Sequence, residues 1–189
     1  MAAARAAGGD GPARGPAPLE LWNPPDCGDM DLRIAADGTW FYMGTPIGRP
    51  ALVRLFASVL TREGARFVLK TPVEKIGITV DDAPFLAVEM AQEEGADGRT
   101  LVFRTNLDDL VRCGPAHALR FAPGGRDGAF VPYVHVRRGL EARLTRAAAL
   151  DLVASGEVRA VAGREMFGIA SGGAFFPILP ADELDRLAS

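Results

Sequence analysis

The segment 32–56 constrains the fold most, because it places a β-hairpin directly before an amphipathic helix. Apolar residues alternate with others over 32–35, which is typical of a half-buried strand. Asp37-Gly38 follows, and both residues tolerate the backbone of a tight hairpin turn. The return strand is predicted at 39–43. Pro50 then opens a helix, where its missing N–H costs nothing.

The predicted helix has one apolar face and a plausible stop signal. Gly64 is suited to end it. The apolar residues that share one face at helical spacing are Leu52, Leu55, Phe56, Val59 and Leu60. Residues 31–64 are therefore predicted as strand, turn, strand and helix.

Further elements follow the same logic along the chain. Three short strands are predicted at 67–69, 76–80 and 85–90, with a turn at 81–84. A second hairpin spans 133–145 and turns at Arg138-Gly139. The next helix is capped by Thr145 and ended by Gly156, and a last helix is predicted over 180–189.

The chain resembles itself in three places. The segments that match are 67–76 with 101–110, 49–58 with 146–155, and 34–41 with 169–176. Three such matches favour duplication of an α+β unit, although chance resemblance between hairpins is the alternative. The prediction is an α+β fold of two related units, 19–96 and 97–189, each an antiparallel sheet with a packed helix. The polar stretch 91–100 would join them.

Composition narrows the class of protein. The chain has 189 residues, 48% of them hydrophobic, and a net charge of -3, which does not suit a basic nucleic-acid binder. No apolar run approaches the ~18–20 residues of a membrane span. Residues 1–18 are rich in Ala, Gly and Pro, lack the apolar core of a secretory signal, and are predicted as a disordered tail. Cys27 and Cys113 lie far apart and favour reduced thiols in a cytoplasmic protein over a disulfide.

Several stretches together resemble a known bacterial family. The run "DGTWFYMGTPIGRPALVRLF", followed by "LKTPVEKIGITVDDAPF", is similar to the family catalogued as domain of unknown function 1285. The stretches "HVRRGLEARLTRAA" and "FGIASGGAFFPI" look like its C-terminal pattern. The resemblance implies a duplicated core with a C-terminal half superficially like a pleckstrin-homology barrel. It also implies a site between the halves, a nucleotide-type ligand and a role in signal transduction, with no established enzymatic activity.

The aromatic run in the first hairpin has two interpretations. Alternation puts Trp40 and Tyr42 on one face of the strand and Phe41 on the other. One face is expected to pack beneath the helix. A solvent-side Trp and Tyr would instead offer a stacking platform for a flat ring.

Two loops offer polar groups near the predicted junction. Arg49 and the backbone at a helix N-terminus are suited to an anion, whereas Pro50 favours a rigid loop that only aims the helix. Polar side chains recur in "KTPVEK" and "RTNLDD", and they would converge if the two units face each other. Ordinary turn chemistry is the alternative.

The second hairpin carries a polar face. His135 and Arg137 share one face of their strand, and Glu141 and Arg143 share one face of the next. Such groups can pair with one another, or their guanidinium forks can hold an anionic ligand.

Catalysis and metal binding have little support. Ser171 lies in "GIASGG", but the residue two before it is Ile169, where a nucleophile elbow needs glycine. The chain has two histidines, His117 and His135, with no Cys or carboxylate at ligand spacing, so no metal site and no cofactor are predicted. His117 is interpreted as a loop histidine.

These patterns predict a cytoplasmic protein that binds a small, nucleotide-like anion between its halves and acts in signal transduction, and they favour a role other than that of an enzyme. The alternative is a protein–protein interaction module for a signalling partner, without a small-molecule ligand. The candidate ligand-binding residues are Arg33, Trp40, Tyr42, Arg49, Thr71, Glu74, Arg104, Asn106, His135, Arg137, Glu141, Arg143 and Ser171.

Overall fold

The computed structural model describes residues 17–95, 98–124 and 130–187. The tail predicted at 1–18 lies outside the described residues except for its last two. The described chain begins with a short 3₁₀ turn at Leu19–Leu21, whose Leu19 is buried.

The first sheet has six strands built from two three-stranded meanders. Its elements are β1 (Asp26–Ile34), β2 (Trp40–Tyr42), β3 (Thr45–Pro46), helix α1 (Pro50–Ser58), β4 (Leu60–Glu63), β5 (Arg66–Lys70) and β6 (Lys75–Val80). The strand order is β3-β2-β1-β6-β5-β4, so α1 connects the two meanders.

The second sheet also has six strands, and a three-stranded sheet follows it. The second sheet contains β7 (Phe85–Gly95), β8 (Gly98–Thr105), β9 (Leu110–Arg112), β10 (Leu119–Pro123), β11 (Phe130–Arg137) and β12 (Leu140–Leu144). After it come α2 (Arg146–Ala154), β13 (Glu157–Val161), β14 (Arg164–Ser171), β15 (Ala174–Pro180) and α3 (Ala181–Leu187). The orders are β10-β11-β12-β7-β8-β9 and β13-β14-β15.

The two six-stranded sheets share one topology. In each, the first strand lies beside the last, and these two strands are parallel: β1 pairs with β6 and β7 with β12. The other neighbours in both sheets are antiparallel. The shared order suggests a duplication. The expectation of wholly antiparallel sheets is wrong, because the closing strand of each sheet returns in parallel to its first strand.

The duplicated order follows the predicted self-similarity only in part. In the shared strand order, β5 of the first sheet corresponds to β11 of the second. The sequence similarity of 67–76 to 101–110 instead makes β5 equivalent to β8. The likeness of 34–41 to 169–176 joins the β1–β2 hairpin to the β14–β15 hairpin of the third sheet. The matched helices α1 and α2 each follow a three-stranded meander, but α1 connects two meanders of one sheet, whereas α2 connects the second sheet to the separate third sheet.

Helix α1 ends earlier than its apolar pattern predicts. Its last residue is Ser58, and the buried residues on it are Val53 and Ala57. Leu60 belongs instead to β4, where it pairs with Leu69 of β5 and is fully buried. The predicted junction at 91–100 falls in the long hairpin of β7 and β8, which pair up to the turn at Gly95↔Gly98.

Local turn and cap predictions are confirmed. The side chain of Asp37 accepts a hydrogen bond from the Thr39 N–H at 2.9 Å, and Gly38 has φ +81°. The second hairpin turns at Arg138 and Gly139, which both have positive φ. Thr145 caps α2 through its side chain, which accepts from the N–H of Ala148.

One hydrophobic core joins the sheets and helices. It contains buried residues of the first sheet, the second sheet, both longer helices and β14, among them Ile34, Trp40, Ala57, Phe85, Phe103, Val134, Leu152 and Ile169. Since the core is continuous, the two halves pack as one body. The helices α1 and α2 have nine residues each, and no helix in the described part of the chain has the length and apolar character to cross a membrane.

Candidate functional site

A groove of about 380 Å³ lies where the first half meets the β8–β9 loop of the second. We call it the Trp40 groove. It is formed by the β1–β2 turn with Trp40, the loop before α1, the first turns of α1, and the β8–β9 loop. Its lining residues are Gly38, Thr39, Trp40, Ile47, Gly48, Pro50, Val53, Arg54, Asn106 and Leu107.

Trp40 lies at the back of the groove and belongs to the core. Its side chain is 2% exposed, and its ring stacks on Phe56 of α1 with centroids 6.2 Å apart and planes at 18°. The structure therefore places Trp40 beneath the helix and not on an open stacking platform. Tyr42, two residues on, is 46% exposed. Trp40 thus packs in the core, and Tyr42 is the exposed ring of the two.

The indole N–H of Trp40 is the unusual group of the groove. Its Nε1 is buried and has no hydrogen-bond partner among the described residues. Leaving a buried donor unsatisfied costs about 1–3 kcal/mol, and nearly all buried polar groups in native proteins are bonded. The residue at the back of the groove therefore carries a buried donor that no described residue satisfies.

Asn106 is held rigidly at the opposite wall. The side-chain Oδ1 of Asn106 accepts a hydrogen bond from the Leu86 backbone N–H at 3.0 Å. The backbone N–H of Asn106 donates to the Leu86 carbonyl at 2.8 Å. Its Nδ2 faces Gly38 so closely that a Cβ at that glycine would lie 2.8 Å away. Since Oδ1 is turned to the Leu86 backbone, the Nδ2 group is the part of the amide that offers donors.

Positive charge stands at the mouth of the groove. Arg54 of α1 donates to Asp108 at 2.7 Å, and both side chains are more than half exposed. Arg49 is the N-cap residue of α1 and is exposed. Asp108 also accepts a hydrogen bond from Arg104, which binds Glu89 through two other nitrogens. The Arg104 hydrogen bond lowers the pKa of the Glu89 carboxyl below its usual range.

Most of the other predicted arginines are already paired within the protein. Arg33 on β1 binds Asp81 through two nitrogens, and this hydrogen bond lowers the pKa of the Asp81 carboxyl. Arg137 donates to Asp109 at 2.8 Å and to the Ala57 carbonyl at 3.2 Å. It thereby connects the two halves of the molecule.

The polar face of the second hairpin pairs internally. Arg143 donates to Asp82 at 2.9 Å, and the Tyr133 hydroxyl donates to the same carboxylate at 2.7 Å. Burial, followed by the Asp82 hydrogen bond, raises the pKa of Tyr133. Arg120 binds Glu141 through two nitrogens and lies 4.2 Å from the Tyr133 ring centroid. This face matches the pairing alternative, and His135 lies on it beside His117.

Three remaining predicted residues serve local structure. Thr71 and Glu74 bond to each other across a turn, and no hydrogen bond between described residues connects them to Arg104 or Asn106. Ser171 is buried; its Oγ donates to the Cys113 carbonyl at 2.8 Å and accepts from the Leu101 N–H at 2.8 Å. Both capacities of this hydroxyl are used in joining β14 to the second sheet.

The Trp40 groove thus brings together two of the predicted residues, Trp40 and Asn106, with Arg49 at its edge. Sequence reasoning missed Arg54 and the role of Gly38 as more than a turn residue. The helical spacing of Arg54 from Pro50 is a signal for the first. Only the tertiary contact with Asn106 identifies the second.

Comparison with known proteins supplies a family. Residues 17–83 match the model described as "Domain of unknown function (DUF1285), N-terminal domain", and residues 84–178 match that of its C-terminal domain. The comparison with curated proteins found no match.

Two solved structures are similar. A DUF1285 family protein from Silicibacter pomeroyi DSS-3 is 49% identical, covers 92% of this chain and 93% of its own, and superposes with a TM-score of 0.83. A DUF1285 family protein from Shewanella baltica OS155 is 29% identical, covers 65% of this chain and 90% of its own, and has a TM-score of 0.51. The matched models span both halves and the groove between them, and this chain belongs to the DUF1285 family.

Proposed function

We propose that this protein binds a small, nucleotide-like anionic molecule in the Trp40 groove. The observation that carries the proposal is the buried indole N–H of Trp40, which has no acceptor among the described residues. A ligand carbonyl, ring nitrogen or carboxylate would satisfy it. The volume of about 380 Å³ lies in the usual range of ligand pockets, about 300–1,000 Å³.

The lining supports a flat ligand with acceptor atoms. Ile47, Val53 and Leu107 supply apolar surface, which suits the faces of a ring. The Trp40 N–H and the Asn106 amide supply donors, and a few fixed polar groups in an apolar cleft are typical of specific sites. A base or a comparable heterocycle offers acceptors in its ring plane, so it complements both features.

The anionic part of the ligand would meet the arginines at the mouth. Arg54 lines the groove and Arg49 precedes its lining residue Pro50. Both are solvent-exposed, so an arriving phosphate or carboxylate reaches them without breaking a buried contact. Arg33, Arg137 and Arg143 do not line the groove and are not part of this proposal, whereas Arg54 lines it although it is also paired, with the exposed Asp108. The role in signal transduction enters through the family resemblance alone, and the pleckstrin-homology-like half remains a prediction.

The test is a thermal-shift panel of nucleotides, dinucleotides and nucleotide-derived cofactors. A ligand at about 100 times its Kd stabilises the native state by about 2.7 kcal/mol, which gives a clear rise in Tm. We expect Trp40→Phe, which keeps a ring and removes the N–H, to reduce that rise strongly. The unliganded variant needs only to fold, because the measured quantity is the ligand-induced change.

The chain offers a matched control, because it has two tryptophans. Trp22→Phe should leave the ligand-induced rise unchanged and makes Trp40 the single tryptophan, so its fluorescence should then report binding. Arg54→Gln should weaken anionic ligands and spare neutral analogues. A panel without any hit on folded protein, or a hit insensitive to Trp40→Phe, would contradict the proposal.

A second candidate function is a protein-interaction module, and the edge of the third sheet favours it. Strand β13 pairs only with β14 in the described sheet, and most of its residues are exposed, including Val158 at 46%. Such an edge can accept a strand from a partner. A partner that copurifies in stoichiometric amount from the native host and is lost with Val158→Glu would support this function.

A further inference from the structure

The two histidines of the chain, eighteen residues apart in sequence, form a stacked pair. The ring centroids of His117 and His135 are 5.8 Å apart and the ring planes differ by 26°. His135 belongs to β11, and His117 lies in the loop before β10. A short bridge between Gly114 and His117 fixes that loop, and the His135 N–H donates to the Ala118 carbonyl at 3.0 Å.

Backbone carbonyls determine the tautomer of both rings. Nδ1 of His117 lies 3.1 Å from the His135 carbonyl oxygen, and Nδ1 of His135 lies 3.1 Å from the Ala116 carbonyl oxygen. A carbonyl oxygen only accepts, so each neutral imidazole carries its proton on Nδ1. Each Nε2 is then left with a free lone pair, and neither Nε2 has a hydrogen-bond partner in the described part of the chain.

This arrangement matches that of metal-ligating histidines. Such histidines donate the other ring N–H to a carbonyl or carboxylate, which orients the ring and makes the ligating nitrogen more basic. Both residues are half-buried, and their rings are held in place by the carbonyl contacts of Nδ1.

The spacing of the rings allows them to share one ion. A metal ion about 2.1 Å from an imidazole nitrogen lies roughly 3.2 Å from that ring's centroid, so two rings sharing an ion have centroids at most about 6.4 Å apart. The observed 5.8 Å is within this limit. Sharing an ion further requires both Nε2 lone pairs to be directed to one point, which the test below examines.

We propose that His117 and His135 form a two-imidazole site for a divalent transition-metal ion. Imidazole ligands suit Cu²⁺, Ni²⁺ and Zn²⁺, and affinity is expected to be highest for Cu²⁺. No group of three His, Cys, Asp or Glu side chains in the described residues could hold a metal ion. Glu141, opposite His135 in the sheet, has both oxygens bonded to Arg120. The remaining coordination positions therefore belong to water or an added ligand.

The test uses tag-free full-length protein, in which these two are the only histidines. Calorimetric titration with Cu²⁺, Ni²⁺ and Zn²⁺ should give one ion per chain, and the Cu²⁺ complex should show two ligating nitrogens by electron paramagnetic resonance. His117→Gln and His135→Gln should each weaken Cu²⁺ binding at least tenfold, and the double variant should lose the nitrogen signature. Cys27→Ser is the matched control and should leave the affinity unchanged, because Cys27 is the exposed thiol.

A second measurement does not depend on any variant. Nitrogen-15 NMR of the two imidazoles without metal should show the proton on Nδ1 in both rings. A proton on Nε2 in either ring, an unchanged affinity in the double variant, or binding lost with Cys27→Ser would each overturn the proposal.

Discussion

The two cysteines show how strongly position changes the chemistry of a residue. Cys27 is exposed on β1, whereas Cys113 is 1% exposed at the end of β9. Burial raises the pKa of the Cys113 thiol to about 11, and the nearby Ser171 hydroxyl opposes this only in part. Since the thiolate is the reactive form, Cys113 is expected to be inert in the folded protein.

Thiol labelling at pH 8 should separate the two cysteines. We expect Cys27 to react at an ordinary rate and Cys113 at least about 100-fold more slowly, from the lower thiolate fraction alone. In denaturant both should react alike, and Cys27→Ser should leave only the slow phase. Equal rates in the native state would contradict the burial of Cys113.

The same group gives the protein a dependence on alkaline pH. Because the pKa of folded Cys113 is raised from 9.0 to about 11, its stabilising contribution is complete below pH 9 and is lost as the pH rises through 11. The free energy of unfolding should therefore fall over this range. Cys113→Ala should flatten the fall, as measured by urea unfolding at a series of pH values.

At the scale of elements, the sequence predicted the turns and the helix start that are determined by neighbouring residues. Asp37-Gly38, Arg138-Gly139 and Thr145 were sufficient to place two hairpins and a helix start. The end of α1 was predicted at Gly64, whereas the helix ends at Ser58. Val59 and Leu60 continue the apolar periodicity of the helix, although Leu60 is buried in β4. The parallel pairs β1·β6 and β7·β12 join residues more than forty positions apart, and no local pattern reveals them.

The first hairpin turn should tolerate substitution less than the second turn of the same meander. Gly38 and Gly44 have φ of +81° and +74°, so alanine is strained at either. A Cβ at Gly38 would also lie 2.8 Å from Asn106 Nδ2, whereas one at Gly44 would meet nothing within 4 Å. We expect Gly44→Ala to cost about 1 kcal/mol and Gly38→Ala about 1–3 kcal/mol more, measured by urea unfolding. Equal costs would show that Asn106 moves aside freely.

At the scale of the whole molecule, folding decided which arginines lie at the groove and which are paired elsewhere. The sequence displays Arg33, Arg137 and Arg143 as free cations on polar faces. Folding gives each a carboxylate from 48, 28 and 61 residues away. Trp40 and Asn106 were predicted as site residues separately, but only the packing of the β8–β9 loop against the first half places them in one groove.

The arginine between the halves should matter more than an exposed one. Arg137 bonds Asp109 and the Ala57 carbonyl and lies over the Phe85 ring at 4.9 Å. Arg137→Met should lower the free energy of unfolding by about 1–3 kcal/mol, because it leaves two partly buried acceptors unpaired. Arg33→Met removes an exposed pair and should cost less than about 1 kcal/mol.

Chemical denaturation followed by fluorescence and by circular dichroism measures both variants. The two probes should report one cooperative transition, since a single core spans both halves. Equal losses in the two variants, or two separate transitions, would contradict this account of the junction.

The parallel pair at the centre of each six-stranded sheet also sets an order of events during synthesis. The first sheet is divided at its middle until β6 arrives, so it cannot close before residue 80 has left the ribosome. The second sheet waits in the same way for β12, which ends at Leu144. Each nascent half therefore carries an open strand edge in its centre for several dozen residues of elongation, and this is the interval in which chaperones would protect it.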